Sequence, residues 1–263
     1  VLSGEKTKVF VQDTSHVYRD EADAAQSVFQ KRLMPLAKNE TYFTAEALKN
    51  AVESLPGDEV FSSGVGAVSI ENPVRRSDGA MVPIEEIKKI SAWCRSNNSR
   101  DSKIGLHLDG ARLFMASAWS GISVKEYSSY FDTVYISLYK YLGASGGAIL
   151  CGDKMLIDKM PHLVKIHGGN MFGNWLNAAM ALRRLEGLET RLSETKQRAE
   201  TIFAALNKLP GIKITAPEGG TNIYHATFGK EVDGAKMQSA LNKEYGIRMI
   251  PPEEKNKTML MVN

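Results

Sequence analysis

Short apolar runs alternate with amphipathic stretches along most of this chain, and few folds accommodate that alternation. Runs of four to seven mostly apolar residues are strand-length. An amphipathic stretch of ten or more residues between two of them is a crossover helix, so the repeated pattern predicts a mostly parallel sheet covered by helices. The strand runs are VFVQ (Val9 to Gln12), LMPL near Leu33, GAVSI (Gly66 to Ile70), IGLHLD (Ile104 to Asp109), FDTVYIS (Phe131 to Ser137) and AILCG (Ala148 to Gly152). Between them, the acidic DEADAA stretch from Asp20 suits a helix start. TAEALKNAVESL from Thr44 is amphipathic and stops at Pro56-Gly57, and Pro83 opens a helix with Ile84, Ile87, Ile90 and Ala92 on one face.

After Gly152 the character changes. Asn174 to Leu209 is a long helical stretch, broken near Gly187, and DGAKMQSALNKEYG is a helix between short strands. This divides the chain into a large domain over residues 1–185 and a smaller C-terminal α/β lobe over 186–263. No internal repeat or low-complexity segment occurs. With 43% hydrophobic residues and a length of 263, the chain can bury a substantial core and still enclose a pocket. Its 33 basic and 30 acidic residues leave a net charge of +3 without a basic block, which speaks against nucleic-acid binding. No apolar run approaches the roughly 18 residues of a membrane helix. The only cysteines, Cys94 and Cys151, sit among interior-type residues and are expected to be buried free thiols in a reducing, cytoplasmic setting.

The chemistry concentrates in two strand ends. Asp109 closes IGLHLD before a glycine, and Lys140 follows FDTVYIS in the turn LYKYLGASGG, one crossover later. Adjacent parallel strands bring their carboxyl ends together, where ligand crevices form, so an acid and a lysine can face one pocket. Pyridoxal phosphate uses such a pair: a lysine to form a Schiff base and a carboxylate to keep the ring nitrogen protonated. Spacing alone leaves other readings open. Asp109 equally suits the N-cap of the helix beginning GARLF, and Lys140 a solvated turn. His107 with Asp109 suggests a metal site, but further ligands are missing, so no metal is expected. His162, His167 and His225 receive no role.

HLDGARL followed by TVYISLYKYLGA resembles the threonine aldolase and β-eliminating lyase family, and the likeness runs from Thr14-Ser15-His16 through Ile70-Glu71-Asn72 to the long helices. It implies an α/β, three-layer, mostly parallel sheet of the fold type I pyridoxal-phosphate class. It also implies a lyase acting on a β-hydroxy-α-amino acid, with β-elimination or a catalytically impaired relative as the alternatives, in a homodimer or homotetramer. By the same resemblance Lys140 is the Schiff-base lysine and Asp109 the partner of the pyridinium nitrogen. His16 stacks on the cofactor and handles protons near the substrate hydroxyl, Arg112 binds the substrate carboxylate, and Ser137 contacts the phosphate.

Three positions depart from the family. Glu71-Asn72-Pro73-Val74 stands where the family reads Glu-Asn-Thr-His, which leaves Arg75 and Arg76 to fill part of that space. Phe172 and Met259 stand where arginines are expected. The loop that cradles the phosphate in the family falls upstream of Val1.

Overall fold

The computed structural model describes residues 2–57, 60, 62–97, 103–250, 252 and 256–263. A six-stranded sheet is built from β1 (Lys8–Gln12), β2 (Arg32–Leu36), β3 (Val65–Glu71), β4 (Gly105–Asp109), β5 (Thr133–Ser137) and β6 (Ala148–Gly152), in the order β2-β1-β3-β4-β5-β6. The first five are mutually parallel and only β6 runs antiparallel, against β5. The chain moves outward in one direction from β1 to β2 and in the other from β3 onward. Open sheets of this order hold ligands where that reversal leaves a crevice at the strands' carboxyl ends.

Helices α1 (His16–Arg19) and α2 (Ala24–Ser27) follow β1, α3 (Ala45–Glu53) follows β2, and α4 (Ile84–Ser96) follows β3. The acidic stretch from Asp20 does not start a helix of any length. The backbone turns left-handed at Ala22 and Asp23, and only α2 follows. Thr44 does cap α3, its hydroxyl accepting from the Ala47 amide at 3.1 Å. On α4 the buried seam is Ile87, Ile90, Ser91 and Cys94, while Ala92 is exposed. Residue 92 lies about 100° of helical rotation from 91, which carries it out of the stripe.

Alternation along the strands separates the two sheet faces. Phe10, Val68, Ile70, Leu106, Leu108 and Val134 point to one face and share a buried core with Leu48 of α3 and Ile87 and Ile90 of α4. The intervening residues on β3, β4 and β5 are mostly polar. Cys151, expected in the interior, is exposed, because β6 is the sheet's edge strand and four of its five residues are open. Cys94 is buried as expected, and burial pushes its thiol up to about 12.

Beyond β4 come α5 (Leu113–Ser120) and α6 (Val124–Ser128), and beyond β6 come α7 (Lys154–Ile157) and α8 (Met160–Ile166). The long helical stretch divides at Gly187, whose φ of 66° separates α9 (Trp175–Leu185) from α10 (Leu188–Leu206). α10 starts in a second core with Met115 and Leu138. It ends against a third, formed with the antiparallel sheet β7 (Ile212–Thr215), β8 (Ile223–Phe228) and β9 (Lys257–Met261). Helix α11 (Gly234–Tyr245) lies between β8 and β9 in sequence. Among the described residues no helix is long and apolar enough to cross a membrane.

Candidate active site

The carboxyl ends of β1, β3, β4 and β5 open onto a cavity of about 390 Å³. His16, Asp109, Arg112 and Lys140, four of the residues singled out in the sequence, all line it. Strand register explains the gathering. Glu71 is paired with Asp109, and Asp109 with Tyr135, so the three side chains form one row across β3, β4 and β5. One step back, Ser69, His107 and Thr133 form a second row on the same face.

Asp109 ends β4 half-buried, and its Oδ1 accepts the Ala111 amide at 3.2 Å. It does not cap the next helix: the N-cap of α5 is Arg112, which makes no side-chain cap. The turn depends on Gly110, whose amide donates to the Tyr135 carbonyl at 2.9 Å. A Cβ there would lie 3.0 Å from that same oxygen, so a larger residue would crowd the hydrogen bond that shapes the turn.

Lys140 lies three residues beyond β5, in a turn anchored by buried Leu138, Leu142 and Ala144. Burial holds its amine below the ordinary lysine range, and the Arg112 guanidinium lowers it further. Tyr139, Asp109 and Glu71 oppose the shift in part. The ammonium sits 5.6 Å from the Tyr139 ring centroid. A lysine whose charge is disfavoured keeps more of its lone pair free, which is what a nucleophilic amine needs.

His16 begins α1, with its Nδ1 2.8 Å from Glu21 Oε1 and its backbone N–H donating to Glu71 Oε2 at 2.6 Å. Arg112 is half-buried, and its guanidinium opposes the rise that burial imposes on the Tyr141 hydroxyl pKa. Ser137 does not line the cavity. Its hydroxyl donates to the Tyr135 hydroxyl at 3.2 Å and reaches the cavity only through that ring. His107 does line it, with Nδ1 2.8 Å from Thr133 Oγ1 and a pKa lowered by burial against the pull of Asp109. Among the described residues no three or more His, Cys, Asp or Glu side chains gather as a metal site.

Sequence reasoning treated Glu71 only as a motif marker and passed over Tyr135 and Tyr139, yet all three line the cavity. The available signal was a buried-type strand, VGAVSIE, ending in a carboxylate. Arg75 and Arg76 do not fill the place of the absent histidine. Both turn to Asp20, with an Arg75–Asp20 contact of 3.1 Å, and neither lines the cavity. Phe172 is fully exposed, and Met259 lies on β9, lining a separate hollow with Arg198 and Arg248.

The sequence profile of the beta-eliminating lyases matches residues 1–228. The chain belongs to that family. A low-specificity L-threonine aldolase from Candida albicans is 32% identical over 237 residues, which are 90% of this chain and 61% of the relative's length. The chain therefore spans about three-fifths of that protein. A crystal structure described as an L-allo-threonine aldolase from Listeria monocytogenes superposes with a TM-score of 0.75 at 25% identity, over 97% of this chain and 68% of that one. A beta-eliminating lyase/threonine aldolase structure from Exiguobacterium, at 24% identity, has a TM-score of 0.76 over 98% of this chain and 70% of that one, and shows the fold alone. The family's fold is the type I α/β class expected from the sequence, with a mostly parallel six-stranded sheet and a small antiparallel one.

Proposed function

We propose that the chain is a pyridoxal-phosphate lyase that cleaves a β-hydroxy-α-amino acid to glycine, or another small amino acid, and an aldehyde. The observation that carries this reading is that Asp109, at the end of β4, and Lys140, in the turn after the neighbouring β5, line one cavity. The aldolase names of similar proteins support it.

The residues present fit the cofactor. An amine of depressed basicity is the group a carbonyl cofactor requires, and a carboxylate on the adjoining strand end suits a protonated ring nitrogen. When bound, pyridoxal phosphate supplies an electron sink joined to the substrate's amino group. Lys140 would hold it covalently, and Asp109 would keep the proton on the ring nitrogen. Arg112 would bind the substrate carboxylate, for which its fork of donors is suited. His16, which lines the cavity, would take the proton of the β-hydroxyl, a task for which imidazole is the usual side chain.

The same cavity supports a second reading, β-elimination, because Pro73 and Val74 replace the second histidine and the two following arginines are engaged by Asp20. For that reaction Lys140, once freed, would remove the Cα proton. Product analysis separates the two. Threonine converted to glycine and acetaldehyde supports cleavage, whereas ammonia and a keto acid support elimination. Protein mixed with pyridoxal phosphate should gain a visible absorption band that Lys140→Ala abolishes; a colourless wild type would overturn both readings.

A homodimer or homotetramer is part of the proposal. Phe172, Trp175 and Leu182, at and near α9, are exposed together, as surfaces that meet a partner are. Sedimentation that reports only monomer would refute it.

A further inference from the structure

Helix α1 presents His16 to the cavity, yet it has only four residues and none of them is buried. A single turn of helix is not stable by itself, and this one has only the half-buried side chains of His16, Val17 and Tyr18 to pack. Polar attachments add to that packing, and a set of them converges on one carboxylate.

Glu71, at the tip of β3, is 4% exposed. Its Oε2 accepts the backbone N–H of His16 at 2.6 Å, and its Oε1 accepts the backbone N–H of Arg75 at 2.8 Å. Both oxygens are thus committed to backbone donors, one at the start of α1 and one in the turn that follows β3. The Glu71 backbone is fixed in turn by Gln12, which is also buried. The Gln12 Oε1 accepts the Glu71 N–H at 2.6 Å, while its Nε2 donates to the Glu71 carbonyl at 3.1 Å and to the Thr41 carbonyl at 2.9 Å. The far end of α1 is fastened from the same side. Arg75 and Arg76 grip Asp20, four residues after His16, and Arg19 binds the Asp13 carboxylate at 2.6 Å.

We propose that Glu71 is a positioning residue, whose carboxylate seats His16 at the cofactor cavity by accepting its backbone N–H. The part of this that concerns the cofactor rests on the function proposed above. Burial raises the Glu71 carboxyl above its ordinary range and Asp109 adds to the rise, while its two backbone donors and the His16 charge oppose it. A carboxyl kept in such a place at that disadvantage is tied to geometry, since a neutral side chain would be easier to bury. The departure from the family motif has its consequence here. The segment that lacks the second histidine serves, through Arg75 and Arg76, as the other half of the fastening on the His16 loop.

The test has an arm that needs no cofactor. In Glu71→Ala, backbone amide exchange at His16 should rise about tenfold or more, the change expected when a hydrogen bond to a charged acceptor is lost. Unchanged exchange at His16 would overturn the proposal. In the second arm, pyridoxal phosphate affinity and the circular dichroism of the bound cofactor are measured for Glu71→Ala, His16→Ala and the double variant. Each single variant should weaken affinity and alter the dichroism, and the double variant should be no worse than His16→Ala. Losses that multiply in the double variant, or full affinity in His16→Ala, would also overturn it. Glu71→Gln keeps the size and one acceptor, and should show the same pattern at smaller amplitude if Glu71→Ala does not fold. A wild type that binds no pyridoxal phosphate would defeat the functional reading, while the exchange arm would still decide the role of Glu71.

Discussion

The two faces of the central sheet, one residue apart along every strand, do opposite work. On one, Val68 and Ile70 of β3, Leu106 and Leu108 of β4 and Val134 of β5 are buried against α3 and α4. On the other, the same strands offer Ser69, Glu71, His107, Asp109, Thr133 and Tyr135. The first face is held by removal of apolar surface from water, which is non-directional and tolerates exchange among side chains of similar volume. The second depends on hydrogen bonds and charges whose partners are fixed by register, and it tolerates little. Stability and chemistry are therefore divided by the two-residue period of a strand rather than by regions of sequence.

Adjacent positions on β4 put that division to the strongest test. Leu108→Ala should cost about 2–5 kcal/mol of stability, as truncations at fully buried leucines do, and thermal or denaturant unfolding would measure it. Asp109→Ala, one residue on, should leave the unfolding transition nearly in place, retain some cofactor, and lower turnover about a hundredfold or more, in the range of a lost acid–base partner. The division fails if the two substitutions exchange effects.

A smaller effect is expected at Arg112, whose charge helps hold the Lys140 amine below its ordinary range. Removing that charge in Arg112→Met should raise the Lys140 pKa. The rate at which Lys140 adds to pyridoxal phosphate rises as the amine loses its proton, so its midpoint should move to higher pH. A midpoint that stays, or moves to lower pH, would remove Arg112 from the electrostatics of the site.

The smallest effect sharpens the contrast between core and edge. Cys94 is packed in the apolar core with its thiol pushed up to about 12, whereas Cys151 is exposed on the edge strand. A thiol reagent should therefore label one cysteine in the folded protein and two in denaturant. Because thiolate is the reactive form, Cys94 should stay unlabelled at neutral pH, and equal labelling of both in the native state would contradict the packing.

Much of this was legible before any coordinates. The six strands of the main sheet, the break at Gly187 and the pairing of Asp109 with Lys140 all followed from runs of neighbouring residues and from the rule that parallel strands end together. Reading failed where the answer depended on residues far apart in the chain. Ala92 is a different kind of miss: it is apolar, but local helical rotation alone carries it out of the stripe. Cys151 looked buried because AILCG is apolar, and only the strand order made it an edge. Ser137 ends β5 with its hydroxyl on the Tyr135 hydroxyl, a partner that no local pattern pointed to.

The sequence by itself determined the periodicities, hence the strands, the crossovers and the side-chain types available at each strand tip. Only the tertiary structure decided which tips stand in one row, that Glu71 meets the amide of His16, and that Arg75 and Arg76 meet Asp20. The physical reason is range. Alternation of apolar and polar residues acts between neighbours and is written in order along the chain, whereas a row of side chains across three strands exists only once register has brought together residues dozens of positions apart.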